Sequence, residues 1–232
     1  MAISLSRENF ILHKLHSLSG VIPVGFYMLQ HLTLNSFSIA GPARFDGVIN
    51  FFESIPKHVL LALEILAIWI PLFFHAIYGF AIVNRALPNL KNENYKYREN
   101  RFYTFQRISG MVAFAFLIFH FITTTVAKYI AGNAEVIKYA AMQQKLTQMG
   151  YLQFFVYLIG IAAATYHFCY GLWGFSIRWG IVVGEKSQQK FFKFCSLAFI
   201  AVLLLGWSAL AGFLIHKPEA AEPQTVTAML VR

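Results

Sequence analysis

Charged side chains are scarce in this sequence. They make up 12% of its 232 residues and only ten residues are acidic, whereas 58% are hydrophobic and the mean hydropathy is +0.57. That balance excludes an ordinary soluble domain and predicts an integral membrane protein. The net charge of +9 could indicate nucleic-acid binding, but the basic residues lie mostly between apolar runs. They therefore favour a role in membrane orientation.

Cysteine and patterned glycine are also lacking. The two cysteines, Cys169 and Cys195, form no C-x-x-C pair or metal motif, and no glycine pattern typical of dinucleotide binding occurs. The chain therefore has no sequence motif for an iron–sulfur cluster or for a flavin or nicotinamide dinucleotide. Any redox chemistry needs another kind of cofactor or a partner.

Five apolar runs are long enough to cross a bilayer as helices. They give the predicted fold class: an all-α membrane bundle of five transmembrane helices, forming one domain over residues 1–216. The helices are predicted over 16–37, 57–83, 103–128, 151–179 and 191–215. We expect kinks at Pro23 and Pro71, a loop over 38–56 with an apolar surface patch, and a short surface helix within 129–149. Residues 217–232 have no apolar period and are expected to form a poorly ordered tail.

The distribution of basic residues predicts the orientation. Twelve of the nineteen Lys and Arg residues fall in the N-terminal segment and in the links after the second and fourth runs. Because such residues concentrate on the cytoplasmic side, we expect the N-terminus in the cytoplasm and the C-terminus outside.

Four of the five runs each carry one histidine at membrane depth. An ionisable side chain there is costly, so each is a candidate functional residue. These histidines are His31, His75, His120 and His167. A lone histidine in a helix is more commonly a hydrogen-bonded core residue, but one on each of four helices favours axial ligation of haem iron.

The depths of the histidines predict how they pair. His31 and His120 lie about 15 residues from the cytoplasmic end of their runs, and His75 and His167 about 9–11 residues, so the levels differ by roughly 6–9 Å at helical rise. The lower two also share a pattern, HAIYG at 75–79 and HFCYG at 167–171, whose glycine leaves room for a flat macrocycle. We therefore predict two haems, one between His75 and His167 and one between His31 and His120.

Three further residues are candidates for the haem carboxylates. His16 and Ser17 open the first run, and Arg178 ends the fourth run at the cytoplasmic side. A guanidinium makes strong hydrogen bonds to carboxylates, although Arg178 could equally serve only as a cytoplasmic anchor.

These residues together resemble the cytochrome b558 membrane anchors of succinate:menaquinone oxidoreductases, the five-helix, two-haem type. The resemblance covers residues 10–212. The segments that carry it are HSLSGVIPVGFYMLQHL (16–32), ALEILAIWIPLFFHAIYG (62–79), FQRISG (105–110) with FH (119–120), and HFCYGLWGFSIRWGI (167–181). The resemblance implies a proximal haem on His75 and His167, a distal haem on His31 and His120, and proximal-haem propionates near His16, Ser17 and Arg178.

The resemblance also implies partners. A flavoprotein subunit and an iron–sulfur subunit would bind on the cytoplasmic face, succinate would be oxidised in the flavoprotein, and electrons would pass through the haems to menaquinone. The rival interpretations are a di-haem subunit of another respiratory enzyme, such as a fumarate reductase, hydrogenase or formate dehydrogenase, and a haem-free transporter or structural membrane protein.

Glu64 is the only carboxylate well inside an apolar run. It lies 11 residues before His75, and thus near the depth of the distal pair. Quinone reduction consumes protons, and a carboxyl group in a low-dielectric site can relay them. We expect Glu64 either to serve a menaquinone site on the outer side or to hydrogen-bond a neighbouring helix.

Overall fold

The computed structural model describes residues 2–85 and 98–216. Within those ranges the chain is helical and contains no strand, which confirms the all-α class. The predicted disorder of residues 217–232 lies outside the described residues, as does the middle of the basic link before the third run.

Seven helices form the described structure, and we number them in chain order. Helix α1 covers residues 2–35, and α2 covers Pro42–Ser54. Helix α3 covers Lys57–Arg85. Helix α4 covers residues 98–131. The stretch Tyr139–Arg178 is broken by non-helical backbone from Gln148 to Tyr151, which leaves a short helix α5 (139–147) and a long helix α6 (152–178). Helix α7 covers Glu185–Ile215. The predicted short helix before the fourth run is thus confirmed.

Four stretches among the described residues are long and apolar enough to cross a membrane. They are Lys57–Arg85, Asn100–Ala131, Tyr139–Arg178 and Glu185–Ile215. The chain is therefore a multi-pass membrane protein. Helix α1 falls short on this measure because its central turns carry His16, Ser17, Ser19, Gln30 and His31. Its crossing of the bilayer stays a prediction.

Three helices in the described ranges, α1, α3 and α4, contain a π-helical turn. Gly20–Gly25 in α1 includes Pro23, and Ile65–Trp69 in α3 ends just before Pro71. Proline has no amide hydrogen and clashes with the preceding turn. The helix therefore widens locally to a π-helical turn instead of breaking. The third turn, Ile122–Val126 in α4, begins two residues after His120.

The segment predicted as a loop over 38–56 is mostly helix α2. Pro42 occupies the first turn, where its missing amide hydrogen costs nothing, and Gly41 before it has a φ of 96°. The aromatic side chains of α2 lie on different faces of the helix. Phe51 is exposed, as expected, whereas Phe45 is 5% exposed and packs in the core. The prediction of a loop was wrong, because the segment forms a helix that buries the Phe45 ring.

The core lies towards the end of the bundle that carries α2 and α5, where these two helices meet α6 and α7. Its buried members are Phe45, Tyr139, Met142, Leu146, Tyr157, Ile161, Leu210 and Phe213. Side chains also satisfy the last carbonyl groups of α7, since Tyr139 donates to Gly212 O at 2.6 Å and Gln143 donates to Phe213 O at 2.8 Å. Helix α3, in contrast, packs mainly on α1 and has no buried residue in its apolar window.

Candidate haem sites

His75 on α3 and His167 on α6 face each other. Their ring centroids are 6.0 Å apart and the ring planes lie at 82°. Each Nδ1 lies against a backbone carbonyl, His16 O at 2.8 Å for His75 and Gln106 O at 2.9 Å for His167. A carbonyl only accepts, so Nδ1 carries the hydrogen in both rings. The lone pair of each Nε2 is then available to a metal.

His31 on α1 and His120 on α4 form the second pair. Their centroids are 5.7 Å apart with the planes at 77°. The Nδ1 atom of His120 lies 3.1 Å from the Tyr157 hydroxyl, and Tyr27 stacks on His31 at 5.6 Å. The Thr124 hydroxyl donates to the carbonyl of His120 at 2.6 Å, at the start of the π-helical turn. This pair is thus also oriented by neighbouring side chains.

The spacing of both pairs fits a metal held between two imidazoles. Metal–imidazole bonds of about 2 Å on either side of an ion place the two ring centroids roughly 6 Å apart. No group of three or more His, Cys, Asp or Glu side chains suited to a metal occurs in the described part of the chain. Each pair therefore offers two ligands, which is the number that haem iron needs from a protein in a bis-histidine site.

The two pairs are farther apart than the sequence predicted. Gln106, which contacts His167, and His120 are fourteen residues apart on α4, and Tyr157, which contacts His120, is ten residues before His167 on α6. At helical rise these separations are about 21 Å and 15 Å. The predicted 6–9 Å was wrong because it was counted from the ends of apolar runs, which do not lie at one level: α4 begins at residue 98, before the predicted 103, whereas α6 ends at Arg178, beside the predicted 179.

Gln106 holds His167 at two points. Its carbonyl accepts from the ring, and its side-chain Nε2 donates to the His167 carbonyl at 2.8 Å. Sequence reasoning missed this residue. The only available signal was its position in the segment FQRISG, since no short pattern connects residues 61 positions apart.

Two glycines allow helices to approach the ligand rings. A Cβ atom on Gly20 would lie 2.3 Å from Cε1 of His75, and one on Gly110 would lie 2.7 Å from Cε1 of His167. The glycines chosen from the sequence lie elsewhere: Gly79 faces the His16 ring, and Gly171 faces the Gln106 amide. Gly20 and Gly110 are thus the glycines that lie against the ligand rings, and the role of Gly79 and Gly171 in leaving room for a haem stays a prediction.

The three candidates for haem carboxylates all lie at the end of the bundle where α6 ends, which is the end predicted to be cytoplasmic. The His16 ring stacks on His75 at 4.1 Å, and its buried Nδ1 has no partner within the described ranges. The Ser17 hydroxyl donates to Lys14 O at 2.8 Å and accepts from Trp179 Nε1 at 3.1 Å. Arg178 Nη1 is 3.4 Å from His13 O. Their role towards a haem stays a prediction.

Glu64 lies near the outer pair. Its carboxylate is close enough to Lys128 and to Tyr27 for their charges to interact. Tyr27 is the residue that stacks on His31, and Lys128 forms an ion pair with Glu53 on α2. Glu64 is thus within electrostatic range of one residue that borders the candidate distal site and of another that forms an ion pair with α2.

A multi-pass helical fold and two facing pairs of imidazoles are the features expected of a membrane b-type cytochrome. No family model matches the chain. A curated protein of Bacillus subtilis (strain 168), the succinate dehydrogenase cytochrome b558 subunit, is 33% identical over 207 residues, which cover 89% of this chain and 98% of that protein. The chain therefore belongs to the family of succinate dehydrogenase cytochrome b558 subunits, as the sequence resemblance predicted, and is a subunit of that enzyme.

Proposed function

We propose that this chain binds two haems b and carries electrons across the membrane, from an iron–sulfur subunit on the cytoplasmic face to menaquinone near the outer face. The observation that carries the proposal is the geometry of the two imidazole pairs, with centroids 6.0 and 5.7 Å apart. The pair of His75 and His167 would hold the proximal haem, and that of His31 and His120 the distal haem. Helix α1 would be the fifth membrane crossing.

The residues of the chain position and tune these sites. Bound haem would supply a one-electron centre whose potential depends on its axial ligands and their hydrogen bonds. The carbonyls of His16 and Gln106 fix the tautomer and orientation of the proximal imidazoles. The distal His120 meets a weaker acceptor, the Tyr157 hydroxyl, at 3.1 Å. The two pairs therefore differ in how strongly each imidazole is polarised.

We infer the partner subunits from family membership and from the basic charge of this chain. The relative's name is that of a succinate dehydrogenase subunit, and this chain has no motif for binding a flavin or an iron–sulfur cluster. We therefore assign succinate oxidation to a flavoprotein subunit and electron delivery to an iron–sulfur subunit. Both would bind the basic cytoplasmic face, which attracts an acidic partner surface.

Glu64 is the proposed proton path to menaquinone. Reduction of a quinone to a quinol takes two electrons and two protons. The support for this role is that Glu64 is within electrostatic range of Tyr27, which stacks on His31, and of Lys128, which pairs with Glu53. If protons enter from outside while electrons come from the cytoplasm, the reaction is coupled to the membrane potential. The competing interpretation is that Glu64 only stabilises helix packing.

Succinate reduction of the purified complex tests the electron path. The complex should show the absorption of low-spin b-type haem, and succinate should reduce the higher-potential, proximal haem first. A complex without a Soret band would identify a haem-free membrane protein. A haem-containing complex that succinate does not reduce and that lacks flavin would favour another respiratory enzyme.

Glu64→Gln tests the proton path, since glutamine keeps the size and hydrogen bonding but cannot ionise. We expect both haems to remain reducible by succinate, while electron transfer to a menaquinone analogue falls at least tenfold. The matched control is Glu135→Gln, which removes a carboxylate that pairs with Lys138 outside the membrane helices. Normal quinone reduction in Glu64→Gln would leave Glu64 with a packing role only.

A further inference from the structure

A lysine from helix α5 binds the backbone beside the candidate distal ligand His120. The π-helical turn Ile122–Val126 of α4 begins two residues after this histidine. The Lys145 ammonium donates to the carbonyl of Thr123 in this turn at 2.8 Å, and to the carbonyl of Val136 at 2.8 Å. Insertion of a side chain is one recognised cause of local distortion in a helix. Lys145 is therefore part of the turn that follows the ligand.

The two threonines that begin this turn bind back to the histidine. The Thr124 hydroxyl donates to the His120 carbonyl at 2.6 Å. The Thr123 hydroxyl lies 2.9 Å from the carbonyl of Phe119 and 3.3 Å from that of His120. The Thr123 side chain also interacts with the hydroxyl of Tyr157, which lies 3.1 Å from His120 Nδ1. Thr123 thus contacts the ammonium through its carbonyl and the surroundings of the imidazole through its side chain.

The charge of Lys145 is not neutralised by a neighbouring carboxylate within residues 2–85 and 98–216. Two other lysines at this end of the bundle form ion pairs, Lys128 with Glu53 and Lys138 with Glu135. Lys145 instead gives both of its hydrogen bonds to neutral carbonyl groups, and its side chain is half-buried. Salt screens a partly buried charge much less than an exposed one. The field of this ammonium therefore reaches the groups around it.

The Lys145 ammonium is close enough to the distal pair to change the energy of a charge held there. Thr123 follows His120 by three residues, or about 4.5 Å of helical rise, and the ammonium is 2.8 Å from the Thr123 carbonyl. These lengths place the charge on the order of 10 Å from the His120 ring. At that distance and an effective dielectric constant of about 20, a unit charge changes a one-electron equilibrium by about tenfold.

We propose that Lys145 is a positioning residue for the distal site, which raises the reduction potential of the haem held by His31 and His120. It acts through its unpaired charge, and it fixes the turn that orients His120. This inference rests on the proposed function. Reduction removes one positive charge from a haem centre, so a nearby cation favours the reduced form. Lys145 therefore narrows the gap to the higher-potential proximal haem and favours electron transfer towards the distal site.

A redox titration of both haems, in membranes that contain the full complex, tests this role. Lys145→Gln keeps a hydrogen-bond donor but removes the charge. We expect both haems to stay bound and the distal midpoint potential to fall by about 59 mV, which is a tenfold change for one electron. The proximal potential should not move. Lys145→Arg keeps the charge and should keep the distal potential of the wild type, although its side chain has a different shape.

Two further variants make the result decisive. Lys138→Gln is the matched control, because it removes a lysine whose charge is already paired with Glu135, and it should leave both potentials unchanged. Ala141→Glu keeps Lys145 and adds a carboxylate one helical turn before it on α5, where the two side chains can pair. It should lower the distal potential alone, by less than Lys145→Gln does. If Lys145→Gln does not accumulate, Ala141→Glu decides the question by the same measurement.

Three outcomes would overturn the inference. One is an unmoved distal potential in Lys145→Gln, even with a lower midpoint of thermal unfolding, since Lys145 would then only stabilise the fold. Another is an equal fall in Lys145→Arg, which would assign the effect to hydrogen-bond geometry and not to charge. The third is an equal shift in Lys138→Gln or in the proximal haem, which would indicate a general effect of surface charge. A wild-type complex without two haems would instead contradict the proposed function itself.

Discussion

Gly20→Ala perturbs the proximal site by a single methyl group. The added Cβ would lie 2.3 Å from Cε1 of His75, whereas non-bonded carbon atoms approach to about 3.5 Å. The ring or α1 must therefore move by about 1.2 Å. Metal-ligand distances in proteins hold within about 0.2 Å, so such a shift is large for an axial ligand.

The hydrogen bond of the His75 ring determines how strongly the substitution weakens haem binding. His75 is oriented by Nδ1 donating to His16 O at 2.8 Å, on the same helix as Gly20. If α1 moves away from the His75 ring to make room for the added methyl group, this hydrogen bond lengthens as well. Loss of such an orienting partner typically costs about 10–100-fold in metal affinity, or about 1.4–2.8 kcal/mol. We expect the proximal haem to be lost or weakly held, and the distal haem to be kept.

Haem content per chain, measured as the pyridine haemochrome of the purified complex, checks this prediction. We expect about one haem per chain in Gly20→Ala. Gly174→Ala is the matched control, because a Cβ on Gly174, in the same helix as His167, would meet nothing within 4 Å. Two haems with unchanged potentials in Gly20→Ala would refute the assignment of His75 as a ligand in this geometry.

Two other substitutions test the outer half of the molecule. Tyr157→Phe removes the hydroxyl 3.1 Å from His120 Nδ1 and should shift the midpoint potential of the distal haem alone, which a redox titration measures. Lys145→Met removes two 2.8 Å hydrogen bonds to the carbonyls of Thr123 and Val136. It should destabilise the protein by about 1.5–3 kcal/mol, which is seen as a lower midpoint of thermal unfolding. An unchanged midpoint would show that these two hydrogen bonds do not stabilise the fold.

Which histidines pair with each other could be predicted from the sequence, because the rise per residue of a helix converts a position in the sequence into a depth in the membrane. Apolar runs of known direction place His31 beside His120 and His75 beside His167, and the structure brings together these same pairs. Their role as ligands stays a prediction. The distance between the two levels was wrong, because run ends locate helix ends only to within a few residues.

Contacts between distant helices could not be read from the sequence. Gln106 reaches His167, and Gly20 faces His75, because of how α4 packs on α6 and α1 on α3. Each is set by helix rotation, which apolar runs do not determine when a helix is hydrophobic all round.

The central claim is that four histidines hold two haems. Its most direct test is the haem content and redox titration of the purified complex with each histidine replaced by alanine. We expect two haems per wild-type chain, loss of the higher-potential, succinate-reducible haem in His75→Ala and His167→Ala, and loss of the other haem in His31→Ala and His120→Ala. Two haems with unchanged potentials in any of these four variants would contradict the account.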